Sequence, residues 1–210
     1  MEREGILIVI SGFAGTGKGT LVKGLIGAHD NYALSVSMTT RSPRPGEVDG
    51  QSYFFVTKEE FEKTIAEEGL IEHACYCDNY YGTPKAYVEK MLAQGKDVIL
   101  EIEIQGALKI KQQFPSALLL FVMPPSASEL KERLVGRGTE TPEVIDRRMS
   151  RAVEESEGIE NYDYIVVNDK IEECIAKTHS IIEAAHCNPL RNKSFINTIR
   201  KELKDITKGE

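Results

Sequence analysis

Gly12-Phe13-Ala14-Gly15-Thr16-Gly17-Lys18-Gly19-Thr20 is the stretch that decides the fold. The apolar run Ile6-Leu7-Ile8-Val9-Ile10 before it predicts a buried strand, and Leu21-Val22-Lys23-Gly24-Leu25-Ile26 after it predicts a helix. Strand, glycine-rich turn and helix together are the context a phosphate loop requires. Glycines let the backbone curl until several N–H groups converge on one anion, and the helix N-terminus adds the positive end of its dipole. Lys18 follows Gly17 directly, where an ammonium reaches the outer phosphates; a merely structural turn would explain the glycines but not this lysine. In the commonest form of the loop a Ser or Thr follows the lysine and its hydroxyl meets magnesium. Here Gly19 intervenes and the hydroxyl belongs to Thr20, so the backbone cradle is intact while the sequence leaves open a direct Thr20–magnesium contact.

Outward from the loop, Tyr32 to Ser37 alternates as a short strand and runs into Met38-Thr39-Thr40-Arg41-Ser42-Pro43-Arg44-Pro45-Gly46. Two prolines forbid helix there and hold Arg41 and Arg44 on a stiff extended loop. Paired guanidiniums suit a dianionic phosphate, because each donates to its oxygens in a fork. Gln51 to Val56 predicts a strand, Thr57 and Glu60 form a capping-box signature opening a helix that Gly69 ends, and Leu70 to Cys77 returns through Asp78-Asn79 into Tyr80 to Thr83. Residues 35–83 therefore read as a small β-rich insertion, with Glu72 and Tyr81 expected to face each other across its hairpin.

Beyond Pro84 long elements alternate: helix to Gln94, strand Asp97 to Glu103, helix from Gln105, strand Ala117 to Met123, helix from Ser126. Such succession predicts an α/β fold, a parallel sheet with helices on both faces. Glu101 and Glu103 fall at alternate positions near the C-terminal end of their predicted strand, where open parallel sheets place ligands. A buried carboxylate there needs a ligand, a magnesium shell or an arginine beside it. Between Gly-containing hinges, Arg133, Arg137, Arg147, Arg148 and Arg151 fall within nineteen residues. An arginine-bearing helical flap is what phosphoryl transfer calls for, although Arg147 and Arg151 also read as solvated surface charges. Tyr164 to Asp169, including Asn168, predicts the last strand, Ile171 to Ala185 a helix, and Phe195-Ile196-x-x-Ile199-x-x-x-Leu203 a packed terminal helix.

With 41% hydrophobic residues, the 210-residue chain can bury a sizeable core, and the apolar run from Ala117 to Met123 is too short to cross a bilayer. The acidic N-terminus is no signal peptide, so the expected location is the cytoplasm. A net charge of −7 disfavours nucleic acid as partner. His73-x-Cys75-x-Cys77 reads as one face of a strand rather than a zinc site, since no second pair of ligands follows at a finger-like distance. No general base is needed when the acceptor is a nucleoside monophosphate, whose ionised oxygen is already the nucleophile. That accounts for the absence of an activated Ser, Cys or His.

Ser35-Val36-Ser37-x-Thr39-Thr40-Arg41-x-Pro43-Arg44-x-Gly46-Glu47-x-x-Gly50-x-x-Tyr53-x-Phe55, then Glu72, Asn79-Tyr80-Tyr81-Gly82-Thr83, Gln105-Gly106 and Arg137-Gly138-Thr139, resembles guanylate kinase from about Gly5 to about Ala185. The lysine-glycine-threonine order in the phosphate loop is similar to that of small nucleotide-phosphorylating enzymes. The resemblance implies a P-loop core (1–34, 84–125, 160–190), a GMP-binding insertion (35–83), a helical lid (126–159) and a C-terminal helix (191–210). It implies magnesium-assisted transfer of a phosphoryl group from ATP to GMP or dGMP, in purine nucleotide metabolism, with no membrane partner.

Carried over residue by residue, the resemblance implies that Gly12 to Thr20, Arg133, Arg137 and Asn168 hold ATP, with Lys18, Arg41, Arg137 and Arg148 stabilising charge in flight. Arg41, Arg44, Tyr53 and Tyr81 would hold the acceptor phosphate, and Ser37, Glu72, Thr83 and Glu103 would read guanine. Glu101 and Glu103 stand where many relatives have aspartate, which leaves their division between base recognition and magnesium open. Two other readings share the loop: a non-enzymatic guanylate-kinase-like scaffold module, against which the intact Gly12–Thr20 loop argues, and a kinase of another phosphorylated acceptor, which would not need Glu72 and the guanine-reading set.

Overall fold

The computed structural model describes residues 4–207 except 45, 77, 137, 139 and 140. The expected roles of Arg137 and Thr139, the proline at 45 and the cysteine at 77 lie outside the described residues. The elements run β1 (Leu7–Gly12), α1 (Lys18–Ala28), β2 (Tyr32–Leu34), β3 (Met38–Thr39), β4 (Phe54–Phe55), α2 (Lys58–Ala66), β5 (Leu70–Tyr76) and β6 (Asn79–Pro84). They continue with α3 (Lys85–Ala93), β7 (Asp97–Glu101), α4 (Ile104–Gln113), β8 (Leu118–Met123), α5 (Ala127–Gly136), α6 (Pro142–Ser156), a 3-10 turn (Ile159–Asn161), β9 (Tyr164–Val167), α7 (Ile171–His186) and α8 (Lys193–Thr207).

Five strands form a parallel sheet in the order β2-β7-β1-β8-β9. Its central strands are continuous apolar runs because both of their faces are covered. From β1, Ile8 and Ile10 pack with Leu21 and Leu25 of α1 and Ile182 of α7, while Leu7 and Val9 pack with Val88 of α3 and with Ala107 and Ile110 of α4. A third cluster joins Phe13 and Phe121 to Leu130 and Leu134 of α5 and Ile145 and Ala152 of α6. At the N-terminal end of β7 the fully buried Asp97 accepts hydrogen bonds from the Ile6 N–H (2.9 Å) and Asn31 Nδ2 (3.0 Å), and its Oδ1 lies 2.9 Å from His186 Nε2. That one carboxylate ties together the start of β1, the turn before β2 and the end of α7.

A second sheet, ordered β4-β3-β6-β5, is built from the insertion. Here the structure departs from the sequence reading in three ways. The run from Tyr32 to Ser37 divides: β2 belongs to the parallel sheet, the chain crosses at 35–37, and Met38–Thr39, expected as loop, pairs with both β4 and β6. Of the strand expected over Gln51 to Val56, only Phe54–Phe55 forms a strand, with Tyr53 in an isolated bridge to Asp49. In the hairpin Tyr81 faces Ala74, not Glu72, and the register is irregular between Leu70 and His73. The capping box of α2 is complete: Thr57 Oγ1 accepts from the Glu60 N–H, and Glu60 Oε2 accepts from the Thr57 N–H.

Elsewhere, β7 ends at Glu101, and Glu103 is the N-cap of α4 rather than a strand residue. The tail forms the expected helix, but α8 is not packed: none of its residues is buried, and Phe195, Ile199, Leu203 and Ile206 are exposed. Apolar spacing at helical period sets which face of a helix is greasy, and tertiary contact alone sets whether that face is covered.

Candidate active site

At Gly12 the loop leaves β1 with φ 152° while still paired with Val122 of β8, and a Cβ there would stand 2.3 Å from the Val122 carbonyl oxygen. Gly17, at φ 84°, caps α1, and a Cβ on it would stand 2.7 Å from Asn168 Nδ2. Only glycine fits either place. Thr16 is fully buried, with Oγ1 donating to the Phe13 carbonyl at 2.9 Å, and Asn168 Nδ2 donates to the Thr16 carbonyl at 2.7 Å. Arg133 in turn donates from Nη1 to the Asn168 carbonyl (2.9 Å) and from Nε to Glu129 Oε1 (2.8 Å). Phe13 is buried edge-to-face on Phe121 at 5.1 Å. Phe13, Thr16, Asn168 and Arg133 thus brace the loop from behind. Lys18 Nζ arches over it, donating to the carbonyls of Gly12 (2.5 Å) and Phe13 (3.0 Å).

Two adjoining clefts open from the loop. The smaller, about 380 Å³, is walled by Gly15, Gly17, Gly19, Thr20, Lys23, Glu101 and Arg148. The larger, about 760 Å³, shares Ala14, Lys18, Glu101 and Arg148 with it and extends past Ser37 and Tyr53 of the insertion to Arg147, Arg151 and Glu155 of α6. Burial raises the carboxyl of Glu101 above its ordinary range, opposed by the nearby ammoniums of Lys18 and Lys23. Glu155 is likewise raised by burial, opposed by its bond from Arg151 Nε at 3.0 Å. Arg151 also pairs through Nη2 with Glu103 Oε2, bridging α6 to the N-cap of α4. Arg151 is thus the arginine beside Glu103; it lines the larger cleft while remaining solvent-exposed.

On the insertion, the Arg41 guanidinium lies 5.4 Å from the Tyr53 ring centroid, and the Tyr53 and Tyr81 rings meet edge-to-face at 6.1 Å. Hydrogen bonding to Glu47 raises Arg41 above its already high range, with a smaller contribution from the Tyr81 hydroxyl. Glu72, half-buried on β5, accepts from Thr83 Oγ1 at 2.8 Å. Beside its other oxygen Gly106 leaves space: a Cβ there would sit 3.7 Å from Glu72 Oε2. Burial raises the Glu72 carboxyl, and the Thr83 bond opposes the rise. Ser37, Tyr53, Glu101 and Glu103 line the larger cleft; Arg41, Arg44, Glu72, Tyr81 and Thr83 are on the same insertion but outside that lining.

A guanylate kinase family profile matches residues 4–185. The chain belongs to the guanylate kinase family. It is 53% identical over 188 residues to the guanylate kinase of Halalkalibacterium halodurans, covering 89% of this chain and 92% of that one. Identity to the guanylate kinase of Caldanaerobacter subterraneus subsp. tengcongensis is 48% over 202 residues, covering 96% and 98%. The crystal structure of guanylate kinase from Anaplasma phagocytophilum superposes with a TM-score of 0.72 at 32% identity, covering 91% of each chain. Three residues gain weight only from the structure: Glu47, Lys23 and Arg151. Glu47 stood in the motif beside Arg44, and Arg147, Arg148 and Arg151 share one helical face by spacing, so both signals were in the sequence without a partner to interpret them.

Proposed function

We propose that this chain transfers the γ-phosphoryl group of ATP to GMP or dGMP, giving ADP and the nucleoside diphosphate. The observation that carries the reading is the single cleft whose walls come from the phosphate loop, the β-rich insertion and the arginine face of α6. Donor phosphates belong on the loop, where backbone N–H groups and the N-terminus of α1 meet them, with Lys18 leaving the carbonyls of Gly12 and Phe13 for phosphate oxygens. The acceptor phosphate belongs at Arg41, Arg44, Tyr53 and Tyr81. Guanine offers N1–H and a 2-amino group side by side, which the carboxylate of Glu72 can accept together, with Ser37 and Thr83 completing the edge.

In-line attack by an already ionised acceptor oxygen needs no base, so the work of the protein is positioning and charge stabilisation by Lys18, Arg41 and Arg148, with α5 and α6 as the lid that excludes water. Thr20 and Glu101 stand together on the smaller cleft and would supply hard oxygen donors of the kind magnesium takes. Magnesium bound with ATP would neutralise charge on the outer phosphates. Both substrates are cytoplasmic metabolites, and we read the protein as working there; no described helix is long and apolar enough to cross a membrane.

A coupled assay of ADP formation with ATP, magnesium and GMP, dGMP, AMP or UMP tests the reading beside Lys18→Ala. Turnover is expected with GMP and dGMP, and the variant is expected to lose about 10²–10³-fold in kcat, the usual cost of one transition-state donor. Equal turnover with AMP would overturn the guanine assignment.

A further inference from the structure

Arg41 and Arg44 sit on a connection that, between β3 and β4, has no strand of its own, yet a dianion site needs both held in place. One side chain links them. Glu47 Oε1 and Oε2 accept from Arg41 Nη2 at 2.8 and 3.0 Å, and Oε2 also accepts the Arg44 backbone N–H at 2.7 Å. The Glu47 N–H returns a bond to the Arg44 carbonyl at 3.0 Å, closing the turn. Arg41 Nη1 donates to the Ser42 carbonyl at 2.7 Å, and its guanidinium lies 5.4 and 5.9 Å from the rings of Tyr53 and Phe55. The Tyr81 hydroxyl contributes a further contact to the same guanidinium. With side-chain exposures of 14% and 21%, the Arg41–Glu47 pair is largely sheltered from screening water.

We propose that Glu47 is the positioning residue of the acceptor-phosphate site, bracing the Arg41 guanidinium and the Arg44 backbone in one geometry before the phosphate arrives. The inference rests on the reading of Arg41 and Arg44 as the phosphate-binding pair. A carboxylate beside a phosphate has two effects of opposite sign. It repels the dianion, and it removes the rotamer freedom that a long arginine side chain would otherwise lose on binding. Both Glu47 oxygens are engaged with these two residues, so their charge is directed into the arginine pair and not toward the acceptor. Positioning then outweighs repulsion, and removing Glu47 weakens acceptor binding.

The test is steady-state kinetics of Glu47→Ala, Glu47→Gln, Arg41→Ala and the double variant Arg41→Ala/Glu47→Ala, with melting curves for each. In Glu47→Ala the KM for GMP is expected to rise roughly tenfold while the KM for ATP stays within twofold, a split that general loosening of the fold would not produce. Glu47→Gln, which keeps one acceptor oxygen but loses the charge-assisted pair, is expected in between. The double variant should add to the Arg41→Ala defect for GMP less than Glu47→Ala costs the wild type, because only the Arg44 N–H is then left for Glu47 to hold. An unchanged or lowered KM for GMP in Glu47→Ala and Glu47→Gln, with Arg41→Ala impaired, overturns the positioning role. A KM for GMP unmoved by Arg41→Ala would instead withdraw the phosphate-site reading on which the role depends.

Discussion

In its proposed role as reader of guanine, Glu72 answers to two opposed requirements. Recognition of guanine calls for an ionised carboxylate, whereas its half-buried place on β5 favours the protonated form, and burial wins far enough to raise its pKa. The sign of the stability effect follows. Between the ordinary glutamate pKa and the raised one, the native chain holds a proton that the unfolded chain has released, so this group's contribution to stability falls as pH rises through that window. Above it the charge is a standing cost to the fold, relieved in Glu72→Gln. The variant is expected to melt at or above the wild-type temperature at pH 7.5 while its kcat/KM for GMP falls about 10²–10³-fold, the loss of charge-assisted acceptance from two guanine donors. Differential scanning fluorimetry and initial rates check the two halves. For the wild type the KM for GMP should climb as pH is lowered toward the raised pKa, sooner than an ordinary glutamate would require. A variant that melts lower and keeps GMP activity would contradict both.

Among the elements, Asp97 is the one polar anchor of β7 that no apolar pattern announces. Asp97→Ala leaves the buried Ile6 N–H and the partly buried Asn31 and His186 facing a methyl group. The expected cost is about 3 kcal/mol of unmet hydrogen bonding, a fall in Tm of roughly 6–12 °C for a chain of this size. As Asp97 is at the opposite end of β7 from Glu101, KM values at 25 °C should be unaffected. What the sequence displayed and what it hid divide along the same line. Strands β1, β7 and β8 and helices α1, α3 and α7 were legible because each carries a long apolar run or a helical stripe, and the capping box of α2 because Thr57 and Glu60 form it within one turn. Strand β3 is two residues long and exists only through pairing with β4 and with β6, which no local pattern encodes, whereas β4 falls inside the strand read over Gln51 to Val56 and is only shorter than that reading. The register of the β5–β6 hairpin is hidden for the same reason: Tyr81 faces Ala74, and Glu72 is bonded to Thr83. Of the site, the loop and the arginine pair were readable as motifs; the brace of Glu47 and the crossing of Arg151 to Glu103 required three dimensions.

At the scale of the whole molecule, the C-terminal edge of the parallel sheet, the insertion at Ser37 and Tyr53, and α6 meet around one cleft, so a ligand in that cleft reports on all three. Anything that binds only the native chain adds RT ln(1 + [L]/Kd) to its stability, about 2.7 kcal/mol at a hundredfold excess over Kd. For a chain of this size each kcal/mol moves Tm by roughly 2–4 °C. GMP at that excess is therefore expected to raise Tm by about 5–10 °C, and AMP at the same concentration by far less, because adenine would leave the Glu72 carboxylate without its two donors. The two acceptor contacts separate in the variants. Glu72→Gln should reduce the GMP shift by losing the base, and Arg41→Ala should reduce it by losing the phosphate, so guanosine, which has the base alone, should shift Arg41→Ala and the wild type nearly equally. If AMP and GMP raise Tm to the same extent at equal concentration, guanine is not being read at Glu72, and the cleft is a phosphate site without a base preference.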